Sequence, residues 1–228
     1  MRNFRVFYDD CLRRRPLLTK CVTSGILFGV GDRIAQTIEV RQQQAQDAER
    51  EFVDFEVVQE RDGLMSVESA TRTMRMMIWG GIGFAPIAHT WYNFIERFAP
   101  GSTAMAVTKK IAMDQILFAP AISTTFYTAT QSLEGKSLQD AFQVAKDKVP
   151  PTLRVNYMVW PLVHVFTFNF VPLQYRILYI NFVSIGWSTF LSQMTNSADT
   201  RDVAAGDSVI VRQSATLQAK SVLEETKQ

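Results

Sequence analysis

Six polar side chains of this 228-residue chain stand where their types and spacing could do chemistry: Asp32, Gln36, His89, Asp114, Gln115 and His164. A ring of carboxylates can set ion preference, and an imidazole titrates between pH 5 and 8. Asp32 and Gln36 share a helical face with Gly25 and Gly29, which combines a small-residue packing surface with two polar groups. Asp114 and Gln115 adjoin at the start of a later apolar run. The same residues do not spell an enzyme. His89 and His164 are 75 positions apart with no cysteine or carboxylate at metal-ligand spacing, and there is no Gly-x-Ser-x-Gly string. Gly29-x-Gly31 lacks both the preceding strand and the third glycine of a dinucleotide fold. Cys11 and Cys21 lie ten apart on one helical region, so neither a disulfide framework nor a paired-Cys metal cluster can be built. No catalytic residue, cofactor or metal is expected.

The elements that must position these groups are written in the charge pattern. Met76 to Ile95, Gln115 to Leu133, Val155 to Tyr175 and Ile177 to Ala198 run 19 to 22 residues without Asp, Glu, Lys or Arg, each fenced by charge. About 20 helical residues cross a hydrocarbon core of roughly 30 Å. The overall composition, 20% charged and 47% hydrophobic, would suit a soluble bundle. It averages over a segregation, because Glu39 to Thr73 holds nine acids against four arginines and the tail is polar. The expected fold is all-α: an integral membrane bundle of four or five spans, kinked by proline and glycine.

Along the chain, residues 1–15 form an amphipathic interfacial helix, with Phe4, Phe7, Tyr8, Cys11 and Leu12 on one stripe. A membrane domain follows over 16–194, interrupted by the acidic loop 39–73, and residues 195–228 read as a polar, disordered tail. Leu17 to Ile38 is mixed: Asp32 in a membrane needs a partner or water, and Arg33 and Arg75 are candidates. Pro86 and Pro120 kink the second and third spans. The hydroxyls after Pro120, from Ser123 to Thr130, can satisfy carbonyls that it frees. Ser137 to Lys148 reads as a short amphipathic connection ending at Pro150-Pro151. Asn156, Trp160, Pro161 and Pro172 shape the fourth span, Arg176 anchors its end, and Trp91 suits an interfacial belt. Net charge of +2 provides no stripe for nucleic acid.

Seven strings then occur in order: Gly29-Val30-Gly31-Asp32-Arg33-Ile34-Ala35-Gln36, Arg72-Thr73-Met74-Arg75, Pro86-x-x-His89-x-Trp91-Tyr92, Asp114-Gln115-x-x-Phe118-Ala119-Pro120, Asn156-Tyr157-x-x-Trp160-Pro161, Val171-Pro172-Leu173-Gln174-Tyr175-Arg176 and Trp187-x-x-x-Leu191-Ser192. Together they resemble the small eukaryotic organellar membrane proteins typified by the twenty-two-kilodalton peroxisomal membrane protein and the mitochondrial protein Mpv-seventeen. The resemblance runs from about Arg15 to Ser192. The family usually has Gly where Ala85 stands, Gln and Asn at His164 and Thr167, and Asn at Ser188.

That resemblance implies a multi-span protein of the mitochondrial inner membrane or the peroxisomal membrane. It also implies a weakly selective channel for small solutes, tied to reactive-oxygen handling and mitochondrial homeostasis. The residues themselves leave two functions open. In one, polar groups at membrane depth line a pore for small solutes or ions. In the other the same groups are interhelical glue in a non-conducting scaffold, and the acidic loop recruits partners. Expected partners are lipid, small solutes or ions, and a second copy or membrane complex.

Overall fold

The computed structural model describes residues 4–49 and 68–187. Helices α1 (Phe4–Arg14) and α2 (Pro16–Glu49) are followed by α3 (68–78), α4 (Ala85–Phe98), α5 (Ala104–Met113), α6 (Ala119–Leu133), α7 (Leu138–Phe170) and α8 (176–187). No strand occurs among the described residues. The fold is all-α, as the charge pattern predicts.

Two prolines set its most specific local feature. A ring at Pro86 or Pro120 removes an N–H and crowds the carbonyl four residues back, so an ordinary helix cannot pass unchanged. The chain widens by one residue instead. Trp79–Phe84 and Asp114–Phe118 are π-helical, with the Ala85 N–H donating to the Gly80 carbonyl and the Ala119 N–H to the Asp114 carbonyl. Both π turns end on the same string, Phe-Ala-Pro. Helix therefore runs without a break over 68–98 and again over 104–133. These rods are 31 and 30 residues long, about 46 and 45 Å.

α7 corrects an expectation. Pro150-Pro151 does not separate a connection from a span; one 33-residue helix carries Pro150, Pro151 and Pro161 inside it. The Thr152 hydroxyl donates to the Lys148 carbonyl at 2.8 Å, which adds a side-chain bond where the prolines remove backbone ones. Thr124 and Thr130 likewise donate to the Pro120 and Phe126 carbonyls, both at 2.8 Å. α7 ends where Val171 turns extended ahead of Pro172.

α6 and α7 form a tight antiparallel hairpin. Gly135 sits at φ +92°, and Lys136 N–H donates back to the Gln131 carbonyl while Gly135 N–H reaches Ser132, a Schellman stop. Two residues later the Ser137 hydroxyl caps α7 by accepting from the Asp140 N–H. Tyr127 and Thr152 hydroxyls meet at 2.8 Å between the two helices. α1 docks through Tyr8 stacked on Tyr175, whose hydroxyl donates to Asp9.

α2 crosses the π turn of 79–84 closely enough that only glycine fits. A Cβ on Gly81 would lie 3.0 Å from the Cys21 carbonyl oxygen, and one on Gly25 3.2 Å from that of Met77. Backbone oxygens cannot rotate aside. Gly81→Ala is expected to separate the helices and lower stability by about 1–3 kcal/mol, read as earlier thermal unfolding in detergent. An unchanged midpoint would mean that the crossing relaxes freely.

Around an aromatic and aliphatic core, the molecule exposes large apolar side chains and buries charged ones. Ile82, Leu162, Met158, Phe170 and Ile116 are each at least 70% exposed, while Lys20, Ser24, Asp32, Lys110, Asp114, His164, Arg176 and Asn181 are buried. Among the described residues, no helix taken singly is long and apolar enough to cross a membrane. The polar groups on the inward faces dilute each apolar run. The acidic loop continues as helix to Glu49 and is helical again from 68. Its middle, the tail 195–228 and the end of the run Ile177 to Ala198 lie outside the described residues.

Candidate functional site

The helices line a half-open cavity of about 770 Å³. α7 supplies one wall as a single stripe: Lys148, Thr152, Asn156, Trp160 and His164 all line it, each four residues after the last. Four-residue spacing keeps side chains on one helix face. From Lys148 to His164 the stripe rises 16 steps, about 24 Å. Facing it are Ser123, Tyr127 and Thr130 from α6, Asp32 and Glu39 from α2, and Arg72, Arg75 and Trp79 from the 68–98 rod.

One end is charged. Arg75 and Glu134 approach to 3.7 Å there, and Arg72 donates to Asp32 at 2.9 Å and to both Glu39 oxygens at 2.7 and 3.0 Å. The bonds to Glu39 hold the Arg72 guanidinium above its ordinary pKa against the pull of burial, with the Asp32 charge adding to them. Asp32 also accepts from Gln36 at 2.5 Å and from Thr73 at 2.7 Å. Gln36 reaches on to Ser69. This network ties α2 to α3. The partner of Asp32 is therefore Arg72, not Arg33 or Arg75; Arg33 donates to Ser69 and Gln36.

At the other end a carboxylate and an imidazole close the cavity. Asp114 Oδ2 lies 2.8 Å from His164 Nε2 and accepts from Gln115 Nε2 at 3.2 Å, while Oδ1 accepts from Trp91 Nε1 at 3.1 Å. Asp114 stands at the π turn and His164 on α7, 50 positions apart in sequence. Trp91 stacks on Phe118 and His164 on Phe168. Phe168 also carries the Arg176 guanidinium and the Lys110 ammonium over its ring, at 5.2 and 5.7 Å. Both cations bond the same oxygen of Glu96, at 2.7 and 2.8 Å. Burial works against the Glu96 carboxylate, but the hydrogen bonds from Lys110 and Arg176 outweigh it and hold its pKa below the ordinary value.

Of the six residues expected to line a cavity, Asp32, Asp114 and His164 do so. Gln36 and Gln115 are buried beside them as bonding partners of the two aspartates. His89 is elsewhere: its Nδ1 lies 3.0 Å from Lys20 Nζ and 3.2 Å from Asn93 Nδ2. Trp91 turns inward and donates to Asp114. Pro86 and Pro120 follow the two π turns, Asn156 and Trp160 line the cavity, Pro161 lies within α7 and Pro172 just beyond it. Arg176 is a buried ion-pair partner. The α7 stripe and the Glu96–Lys110–Arg176 cluster escaped the sequence reading. Continuing one helix through Pro150-Pro151 would have exposed the stripe. Among the described residues no group of three His, Cys, Asp or Glu could hold a metal.

Comparison with known proteins finds relatives over most of the chain. Residues 131–192 match the Mpv17 / PMP22 family. Protein sym-1 of Neurospora crassa is 39% identical over 82% of this chain and 95% of its own. The mitochondrial inner membrane protein Mpv17 of Xenopus laevis is 33% identical over 84% and 96%, and peroxisomal membrane protein 2 of Bos taurus 31% over 82% and 87%. No solved structure matches. The chain belongs to the Mpv17 / PMP22 family of organellar membrane proteins, whose members occupy the mitochondrial inner membrane or the peroxisomal membrane.

Proposed function

We propose that this protein is a membrane-spanning bundle of four or five helices whose central cavity is a weakly selective path for small solutes or ions, in the mitochondrial inner or peroxisomal membrane. The observation that carries this reading is where polarity falls: large apolar side chains outside, and inside a 770 Å³ cavity in which charged and polar groups stand among aromatic ones. In water such an exterior would drive association, whereas hydrocarbon accommodates it. The helical rods, each about 45 Å or more, exceed the roughly 30 Å of a hydrocarbon core even when tilted. On this reading the protein is not an enzyme and needs no cofactor. A path for solutes serves organelle homeostasis by relieving gradients of small metabolites.

Asp114, His164 and the aromatic rings behind them close one end, so conduction requires that end to part. Purified protein in planar bilayers is expected to conduct, and Thr130→Trp, which fills the cavity, to reduce unitary conductance. Silence across voltage and pH would remove the channel reading.

The network joining Asp32, Gln36, Ser69, Thr73, Arg72 and Glu39 favours a second reading. Its side chains bind helix to helix, as in a non-conducting scaffold that recruits partners through the acidic loop, as a homo-oligomer or within a complex. Deleting residues 50–67 would then abolish partner recovery while leaving membrane insertion intact.

A further inference from the structure

We propose that the closed end of the cavity is a binding site for small organic cations that carry N–H donors, such as alkyl- or arylammonium and guanidinium compounds. The proposal deepens the solute-path reading and rests on it, since a ligand must reach this end through the cavity.

Charge comes first. Asp114 is buried, and the groups bonded to it are an imidazole, an indole and a carboxamide, none of them a permanent cation. Of the other lining carboxylates, Asp32 and Glu39 share Arg72, Glu134 faces Arg75, and Glu68 is exposed, whereas Asp114 is buried. No lysine or arginine bonds this carboxylate, so a cationic guest would meet no permanent positive charge among its partners.

Hydrogen-bonding capacity points the same way. His164 Nδ1 and Asn156 Oδ1 are buried and have no protein partner among the described residues. Asn156 Oδ1 is an acceptor, and His164 Nδ1 accepts whenever Nε2–H donates to Asp114 from the neutral ring. Trp160 Nε1, between them on the stripe, is an unpartnered donor. Two acceptors and a carboxylate against one donor favour a guest rich in N–H groups. A buried acceptor left unpaired is unfavourable, so such a guest gains by supplying the missing bonds.

Shape and surface complete the match. Trp160 lies against His164 with ring centroids 5.6 Å apart, and Trp187 meets Trp160 edge-on at 5.8 Å. Trp79, Phe118 and Tyr92 line the same cavity. Aromatic faces beside a carboxylate attract an organic cation through the ring quadrupole. The cavity volume falls in the range of small-molecule sites.

The test is calorimetric titration of the full-length protein in a non-ionic detergent with benzylammonium and with benzyl alcohol, its uncharged counterpart, each corrected by a protein-free micelle blank. Benzylammonium is expected to bind about tenfold or more tightly than the alcohol. Asp114→Asn should erase that preference, with a single gel-filtration peak and cooperative thermal unfolding showing that the variant is folded. Equal affinities on the unaltered protein, no saturable binding of either compound, or a preference that survives Asp114→Asn would each overturn the proposal. Because the titration needs no bilayer, absent conductance with intact binding would refute the solute path alone. Conductance without ammonium preference would refute this site alone.

Discussion

Replacing Asp114 by alanine is expected to destabilise the protein by about 3 kcal/mol or more, at about 1 kcal/mol or more for each buried donor left without its acceptor. The carboxylate accepts from His164, Trp91 and Gln115 at 2.8 to 3.2 Å, and all three donors lose their acceptor at once. It also holds the end of the π turn of 114–118 against α7, so the loss falls on tertiary packing. The Asp114→Asn change differs, since the new carboxamide oxygen can still accept from Trp91. The carboxamide nitrogen can donate to Nε2 if His164 shifts its proton to Nδ1, and Gln115 can flip. Asp114→Asn should therefore cost about 1 kcal/mol, as for a typical net hydrogen bond. Thermal unfolding of both variants in one detergent checks this, and equal midpoints would contradict the assigned bonds.

This pair also shows where sequence and structure part. Asp114, His164 and Asp32 could each be singled out as costly polar groups at membrane depth. Their partners could not. Asp114 meets His164 because α6 and α7 fold back as a hairpin at Gly135, and 50 residues of sequence carry no sign of that distance. Arg72 rather than Arg75 reaches Asp32 because the turn of the 68–98 rod fixes which arginine faces α2. The helical content and the inward polar faces were legible because charge spacing and 3.6-residue periodicity are local. The π turns were half legible: Pro86 and Pro120 announce a distortion, but only the repeated Phe-Ala-Pro tells that both adopt the same one. Proline was over-read at Pro150-Pro151, where side-chain hydroxyls and neighbouring turns let the helix continue. His89 was singled out as an imidazole that could line a cavity, yet its own face of α4 looks toward Lys20.

Glu96 carries the second large effect. Its carboxylate holds Lys110 and Arg176, which are buried, and their side chains reach no other carboxylate among the ion pairs of the described residues. Glu96→Ala would leave two buried cations facing each other, and a loss of about 3 kcal/mol is expected, the low end for a broken buried pair because Glu96 itself is partly exposed. Glu96→Gln keeps an acceptor oxygen and should lose less. The pH dependence follows from the same contacts. The pKa of Glu96 is lower in the folded protein than in the unfolded chain, so its contribution is complete above the ordinary carboxylate value, about 4.3. It fades as pH falls through the lower, folded value. Acid unfolding of the unaltered protein should therefore steepen below about pH 4, and Glu96→Gln should flatten that limb. An acid limb identical in the two proteins would exclude Glu96 as its source.

Thiol accessibility in lipid vesicles tests most directly whether the polar cavity is wet and the apolar exterior faces lipid. Ser123 lines the cavity, and Ala121, two residues earlier on the same helix, is exposed on the outside. With Cys11 and Cys21 changed to serine, Ser123→Cys should react with a charged, membrane-impermeant methanethiosulfonate reagent while Ala121→Cys should not. Rapid modification of the Ala121→Cys variant, with the Ser123→Cys variant protected, would contradict the account, because it would put water where hydrocarbon must be.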